Sequence, residues 1–187
     1  MARLVLLILA LLLAAPAQAQ DEAKAWEVLR RGGGVAVIRH ALAPGIGDPS
    51  GFKLDDCSTQ RNLSEQGRAQ ARALGERLRA EGVAVSAVLS SRWCRCLETA
   101  RLAFGTVTPF PPLDSFFEDR GEEPARTAAV RDHMKAWDGR GTLVMVTHQV
   151  NITALTGAVP SSGEIVVLGP NPDRSFALVG RIRLGDP

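Results

Sequence analysis

Short apolar runs alternate with stretches of helical period along this chain. Val35–Ile38, Val83–Leu89 and Thr142–Val146 are β-branched and apolar with little polar alternation, which predicts strands buried on both faces. Asp21–Arg31, with Ala25, Trp26, Val28 and Leu29 on its apolar side, predicts a helix ended by Gly32-Gly33-Gly34. Ala71, Leu74, Leu78 and Ala80 recur at helical spacing in a second helix, N-capped by Ser64 and stopped by Glu81-Gly82. Ser90-Ser91 are expected to cap a third helix running to about Phe104. Arg126–Trp137 and Asn151–Gly157 are further helical segments. Two last β runs, 164–168 and 175–184, are joined by a Gly/Pro/Asp-rich linker and predict a hairpin or an edge addition. Residues 41–62 and 106–124 carry no period and are rich in turn formers, so they predict long loops, which in compact domains usually serve function.

Strands alternating with helices imply an α/β fold with a mostly parallel sheet and helices on both faces. In such sheets ligands bind beyond the carboxyl ends of the strands. Arg39-His40 and His148 each follow a predicted strand directly, and Ser90–Arg95 lies at a third such end. Two imidazoles and two or three guanidiniums meeting there suit a phosphoryl group, whose oxygens need charged donors in fixed geometry and whose phosphorus a histidine nitrogen can attack.

The amino terminus changes the composition. Arg3, the 12-residue apolar run 4–15 and the small-x-small triplet Ala17-Gln18-Ala19 read as a secretory signal peptide over residues 1–19. The run is short for a membrane span, and no cysteine stands at the cleavage site. Residues 20–187 are then expected to form one domain, periplasmic or secreted, with no stable membrane anchor. The whole chain of 187 residues carries 22 basic and 20 acidic side chains, and losing Arg3 leaves a net charge of +1. That balance gives no support to nucleic acid as a partner. Of the three cysteines, Cys57 is expected to bridge to Cys94 or Cys96 in an oxidising compartment. The spacings Cys-x-x-Cys and His-x3-His of metal sites are absent.

Four ordered segments carry a family resemblance. Ile38-Arg39-His40-Ala41 resembles the Arg-His-Gly signature of the histidine phosphatase superfamily, which includes phosphoglycerate mutases, phosphohistidine phosphatases and α-ribazole phosphatase. Leu63-Ser64-Glu65-Gln66-Gly67-Arg68-Ala69-Gln70-Ala71 is similar to its Leu-Thr-x-x-Gly-x-x-Gln-Ala helix start. Residues 90–100 are similar to its Ser-Ser-Pro-Leu-x-Arg-Ala-x-Gln-Thr-Ala segment, and Val144–His148 to the strand that presents the second histidine.

The resemblance implies a three-layer α/β/α sandwich of phosphoglycerate mutase-like fold. It also implies that His40 is the nucleophile, that Arg39, Arg95 and His148 complete the phosphate pocket, and that neither metal nor cofactor is needed. Arg92, which stands where the family has proline, and Gln149, which follows the second histidine where another branch has its catalytic aspartate, are secondary substrate-binding candidates. The mutase-like branch carries a Leu-x-Glu acid, but here Leu113-Asp114-Ser115 puts serine at that place. Glu118, ahead of Asp119, is the candidate general acid. The expected partner is a small phosphorylated molecule or a phosphorylated envelope component, hydrolysed as a phosphomonoester, phosphohistidine or acyl phosphate. The alternative is a catalytically silent binder of phosphorylated ligands. Phe116 and Phe117 are expected in the core, and His133 on a solvated helix face.

Overall fold

The structure, a computed structural model, describes residues 17–184. Apart from its last three residues, the segment read as a signal peptide lies outside them. Helix α1 (Ala17–Arg31) leads into strand β1 (Val35–Arg39), followed by helix α2 (Glu65–Ala80) and strand β2 (Val85–Ser90). Helix α3 (Cys94–Phe104) and the two-residue strand β3 (Thr108–Pro109) come next, then α4 (Glu123–Ala136), β4 (Thr142–Thr147), α5 (Gln149–Thr156), β5 (Ile165–Pro170) and β6 (Phe176–Ile182).

The sheet order is β3-β2-β4-β1-β5-β6; the first four strands run parallel, and β5 and β6 are antiparallel additions. Alternation along the central strands separates two cores. Ala36, Ile38, Val144 and Val146 face α1, α2 and α3 through Trp26, Leu29, Leu74, Leu78 and Ala100. Val35, Val37, Leu143 and Met145 face α4 and α5 through Val130, Met134 and Ile152. The result is the expected α/β/α sandwich.

Several boundaries move for local reasons. Strand β2 begins at Val85 rather than Val83, because the Val83 amide bonds to the Leu78 carbonyl and closes the preceding helix. Helix α4 starts earlier than Arg126 because Pro124 fits a first turn, where its missing N–H costs nothing. Ser64 caps α2 as expected, accepting from the Gly67 amide. Ser90-Ser91 do not cap α3: its N-cap is Trp93, without a side-chain bond, and the Ser91 hydroxyl is used inside the site instead. The stretch after Thr106 is not wholly loop, since Thr108-Pro109 pair with β2.

The motif of α2 secures the turn after His40. A Cβ on Gly67 would lie 2.0 Å from the Leu42 carbonyl oxygen, so only glycine lets the two backbones meet. That carbonyl accepts from the Ser64 amide, and the Leu42 amide donates to Gln70 Oε1. The Gln70 side-chain amide in turn donates to the Ser162 carbonyl.

Candidate active site

Register brings the site together. Arg39 pairs with Thr147 across β1 and β4, so the residues that follow, His40 and His148, emerge side by side with ring centroids 5.6 Å apart. Ser90 pairs with Val146, which delivers Ser91 and the start of α3 to the same edge. All of this lies at the carboxyl end of the parallel strands.

A cavity of about 460 Å³ opens there, lined at its base by Arg39, His40, Arg61, Arg95 and His148. Ile46, Phe52, Trp93, Phe117 and Val150 also line it, together with Glu118, Asp119 and Arg120. Gln149 also lines it. Of the residues singled out from the sequence, Arg39, His40, Arg95, His148, Glu118 and Gln149 therefore share one cavity.

Arg92 does not line it. Its backbone amide and Nε donate to the two oxygens of the buried Asp114 carboxylate, at 2.8 and 2.7 Å, and the guanidinium is spent there. The structure thus places Arg92, expected as a secondary substrate contact, on Asp114 and outside the cavity lining. Phe116 is buried as expected, but Phe117 is 48% exposed and lines the cavity. His133 is half-buried rather than solvated, packing on Phe110 at 4.7 Å between ring centroids.

The state of His40 follows from its partner. Its Nδ1 lies 2.8 Å from the Ala41 carbonyl oxygen, an acceptor, so Nδ1 carries the hydrogen and Nε2 keeps its lone pair. Burial pushes its pKa down to about 3; the Ala41 bond opposes the shift, and the charges of Arg95, Arg39 and Arg61 add to it. His148 is pushed well below the ordinary value, first by burial and then by Arg95. Both rings are neutral at physiological pH.

His148 Nε2 meets the Ser91 hydroxyl at 2.9 Å, and that hydroxyl also lies 3.3 Å from Asp114 Oδ1. Its Nδ1 is 3.4 Å from Arg95. With Ser91 donating to Asp114, Nε2–H donates to Ser91 and Nδ1 accepts from Arg95. With Ser91 donating to Nε2, Nδ1–H is released toward a ligand. Trp93 walls the ring edge-on, 5.3 Å between centroids.

Two residues that the sequence did not single out belong to this site. Arg61 lines the base, its side chain donating to the Gly47 and Ala43 carbonyls. Asp48 pairs with Arg95 in the interior, both side chains less than 7% exposed. Neither has a periodic or spacing signal, because both sit on the long loop after His40. The same loop carries the disulfide Cys57–Cys94, which fastens it to the first residue of α3. Of the two partners open to Cys57, Cys94 is thus the one used. Cys96 is free and buried, its thiol pushed up to about 12 by burial.

Arg39 donates to the Pro160 carbonyl at 2.9 Å. The Nε atoms of Arg39 and Arg95 are buried without a partner among the described residues. Orphaned guanidinium donors in a cavity that already holds neutral imidazoles are what an incoming dianion would satisfy.

Fold and cavity together define a phosphoglycerate mutase-like α/β protein with its paired histidines at the carboxyl edge of the sheet. Residues 35–114, which run from β1 to the buried Asp114, match the model of the histidine phosphatase superfamily (branch 1). Comparison with curated proteins gives no match. Among solved structures, the fold is similar to the protein histidine phosphatase SixA complexed with tungstate (15% identity, 80% of this chain and 96% of that one, TM-score 0.57). It is similar to the α-ribazole phosphatase of Shigella flexneri (16% identity, 79% and 96%, TM-score 0.57). A mycobacterial glucosyl-3-phosphoglycerate phosphatase also shares it (17% identity, 78% and 95%, TM-score 0.54). At these identities the likeness is one of fold.

Proposed function

We propose that this protein is an exported phosphatase that hydrolyses small phosphomonoesters through a phosphohistidine on His40. The observation that carries the reading is the neutral His40 ring, its Nδ1 engaged by Ala41 and its Nε2 free, at the base of a cavity shared with Arg39, Arg61 and Arg95. Nε2 attacks phosphorus, the P–O ester bond breaks, and the alcohol leaves with a proton supplied by an acid. Water then attacks the phosphohistidine, the P–N bond breaks, and the imidazole is restored with inorganic phosphate released. The arginines balance the charge of the phosphoryl oxygens as they pass through the transition state. His148 donates to one of those oxygens in the tautomer that Ser91 makes available. Glu118, on the cavity wall and free of hydrogen-bond partners among the described residues, serves as the acid; Asp119 is occupied capping the turn at Gly121. The chemistry requires neither metal nor cofactor.

Export rests on the amino-terminal signal pattern, and the Cys57–Cys94 bond suits an oxidising compartment. The test is hydrolysis of an aryl phosphate by the purified mature protein, with vanadate inhibition and an acid-labile phosphoryl group trapped on rapid quenching. Replacement His40→Ala should abolish both turnover and trapped label. Phosphate release that survives this replacement, or no release by the wild type from aryl, alkyl and acyl phosphates, would end the reading. Fractionation of expressing cells and sequencing of the mature amino terminus test export.

A further inference from the structure

Asp48 is unusual among the carboxylates of the molecule because every one of its contacts serves the site. Its Oδ1 accepts from Arg95 at 2.8 Å and from the Arg61 backbone amide at 3.0 Å; its Oδ2 accepts from Arg95 at 3.1 Å and from Trp93 Nε1 at 3.0 Å. Both terminal nitrogens of Arg95 are thereby held end-on. The Arg61 carbonyl takes a further hydrogen from one of them, and His148 Nδ1 lies 3.4 Å from the other. The donor left over is Nε, buried and unpartnered.

We propose that Asp48 is a positioning residue for phosphoryl transfer: it occupies the end-on edge of Arg95 and so fixes the plane of the guanidinium, leaving Nε as the donor available to a phosphoryl group. This rests on the phosphatase reading above and adds to it a residue outside the recurring motifs. A guanidinium offers carboxylates and phosphates more than one bidentate edge, and the choice of edge sets where the anion sits relative to His40 Nε2. Four donors are more than a transient competitor for Arg95 would need, and one of them is a backbone amide in a loop fastened by Cys57–Cys94. The same carboxylate holds Trp93, whose ring walls His148, so both sides of the phosphate position refer back to it.

The charge logic separates positioning from simple attraction. Asp48→Asn removes a negative charge from beside Arg95, so ground-state attraction for a phosphate is not weakened, whereas the edge is no longer fixed. The expected result is kcat lower by about 10- to 100-fold, in line with the cost of a misplacement near 1 Å, with KM changed by less than about threefold. Vanadate, which mimics the five-coordinate transition state, should lose affinity by a similar factor, while inorganic phosphate should not. Trp93→Phe removes one anchor and should shift kcat in the same direction by less. In a double-mutant cycle, Asp48→Asn added to Arg95→Ala should have no further effect.

Additive losses in that cycle, a parallel loss of vanadate and phosphate affinity, or a gain in kcat/KM for Asp48→Asn would overturn the proposal, the last by showing that the carboxylate competes with phosphate. If Asp48→Asn does not fold, Trp93→Phe and the vanadate-to-phosphate affinity ratio carry the decision. A wild type that hydrolyses no phosphate ester ends the phosphatase reading, and the affinity ratio across the same variants then judges Asp48 separately.

Discussion

The Ser91 hydroxyl stands between His148 and Asp114, 2.9 Å from the imidazole Nε2 and 3.3 Å from Oδ1 of the carboxylate. It serves either as acceptor from the ring or as donor to it, and that choice decides whether Nδ1 of His148 has a hydrogen to offer. Replacement Ser91→Ala leaves Nε2 only the weak Cys96 thiol, 3.5 Å away, and loosens the hold on the tautomer. Losing one such bond, worth about 1–1.5 kcal/mol, should lower kcat about tenfold with little change in KM. Steady-state kinetics on an aryl phosphate checks this.

His40 and His148 both have pKa values below the ordinary one in the folded protein, His40 at about 3. The unfolded chain binds a proton on each near pH 6.5, whereas the folded protein binds neither until the pH is much lower. The unfolded state thus holds more protons across that window, so stability falls as pH drops from about 6.5 toward 3. Imidazole NMR should show His40 and His148 neutral from pH 8 to 5. A titration of His40 near 6.5 would contradict the buried, arginine-flanked setting.

Asp48 and Glu164 add to the acid sensitivity at lower pH. Burial raises each carboxyl, but hydrogen bonds from Arg95, Arg61 and Trp93 to Asp48, and from Arg181, Ser161 and Arg183 to Glu164, hold both below the usual carboxylate range. Their contribution is present above the ordinary carboxylate pKa and is lost as pH falls through the depressed folded values. The stability of Glu164→Gln, read from denaturant melts across the acid range, should therefore fall less steeply with decreasing pH than that of the wild type.

Reducing or removing the Cys57–Cys94 bond frees the loop that carries Asp48 and Arg61. Cys57→Ser with Cys94→Ser should cost about 2–4 kcal/mol of stability, read as a lower melting temperature. Activity should fall more than the stability loss alone explains at a temperature where the variant is still folded, because Arg61 and Asp48 lose their fixed positions.

The close contact of α2 with the turn after His40 predicts that Gly67→Ala is destabilising by about 1–3 kcal/mol, since a methyl group there meets the Leu42 carbonyl at 2.0 Å. Gly75→Ala, whose Cβ would lie equally close to the Ala103 carbonyl, should also destabilise but leave kcat per folded molecule unchanged. Thermal melts with activity normalised to folded protein separate the two.

Glu118→Gln should slow an alkyl phosphate by about 10²- to 10⁴-fold, the usual contribution of a general acid, and leave p-nitrophenyl phosphate nearly untouched, because a good leaving group needs no proton. Equal effects on both substrates would remove Glu118 from that role.

What the sequence determined by itself is local or periodic. The unbroken apolar runs specify strands buried on both sides, the 3.6-residue recurrence in α2 specifies its inward face, and histidines directly after strands are bound to reach the carboxyl edge of a parallel sheet. His40, Arg95 and His148 were legible because each is tied to a strand end or to a spaced motif. The tertiary structure alone decided the contacts made by aperiodic segments. Asp48 reaches Arg95 across 47 residues, Cys57 meets Cys94 rather than Cys96, and Arg92 pairs with Asp114. Loop residues follow no period, so their partners are set by how the loop closes over the sheet, and closure depends on register and on backbone approach at Gly67, which no single stretch of sequence contains.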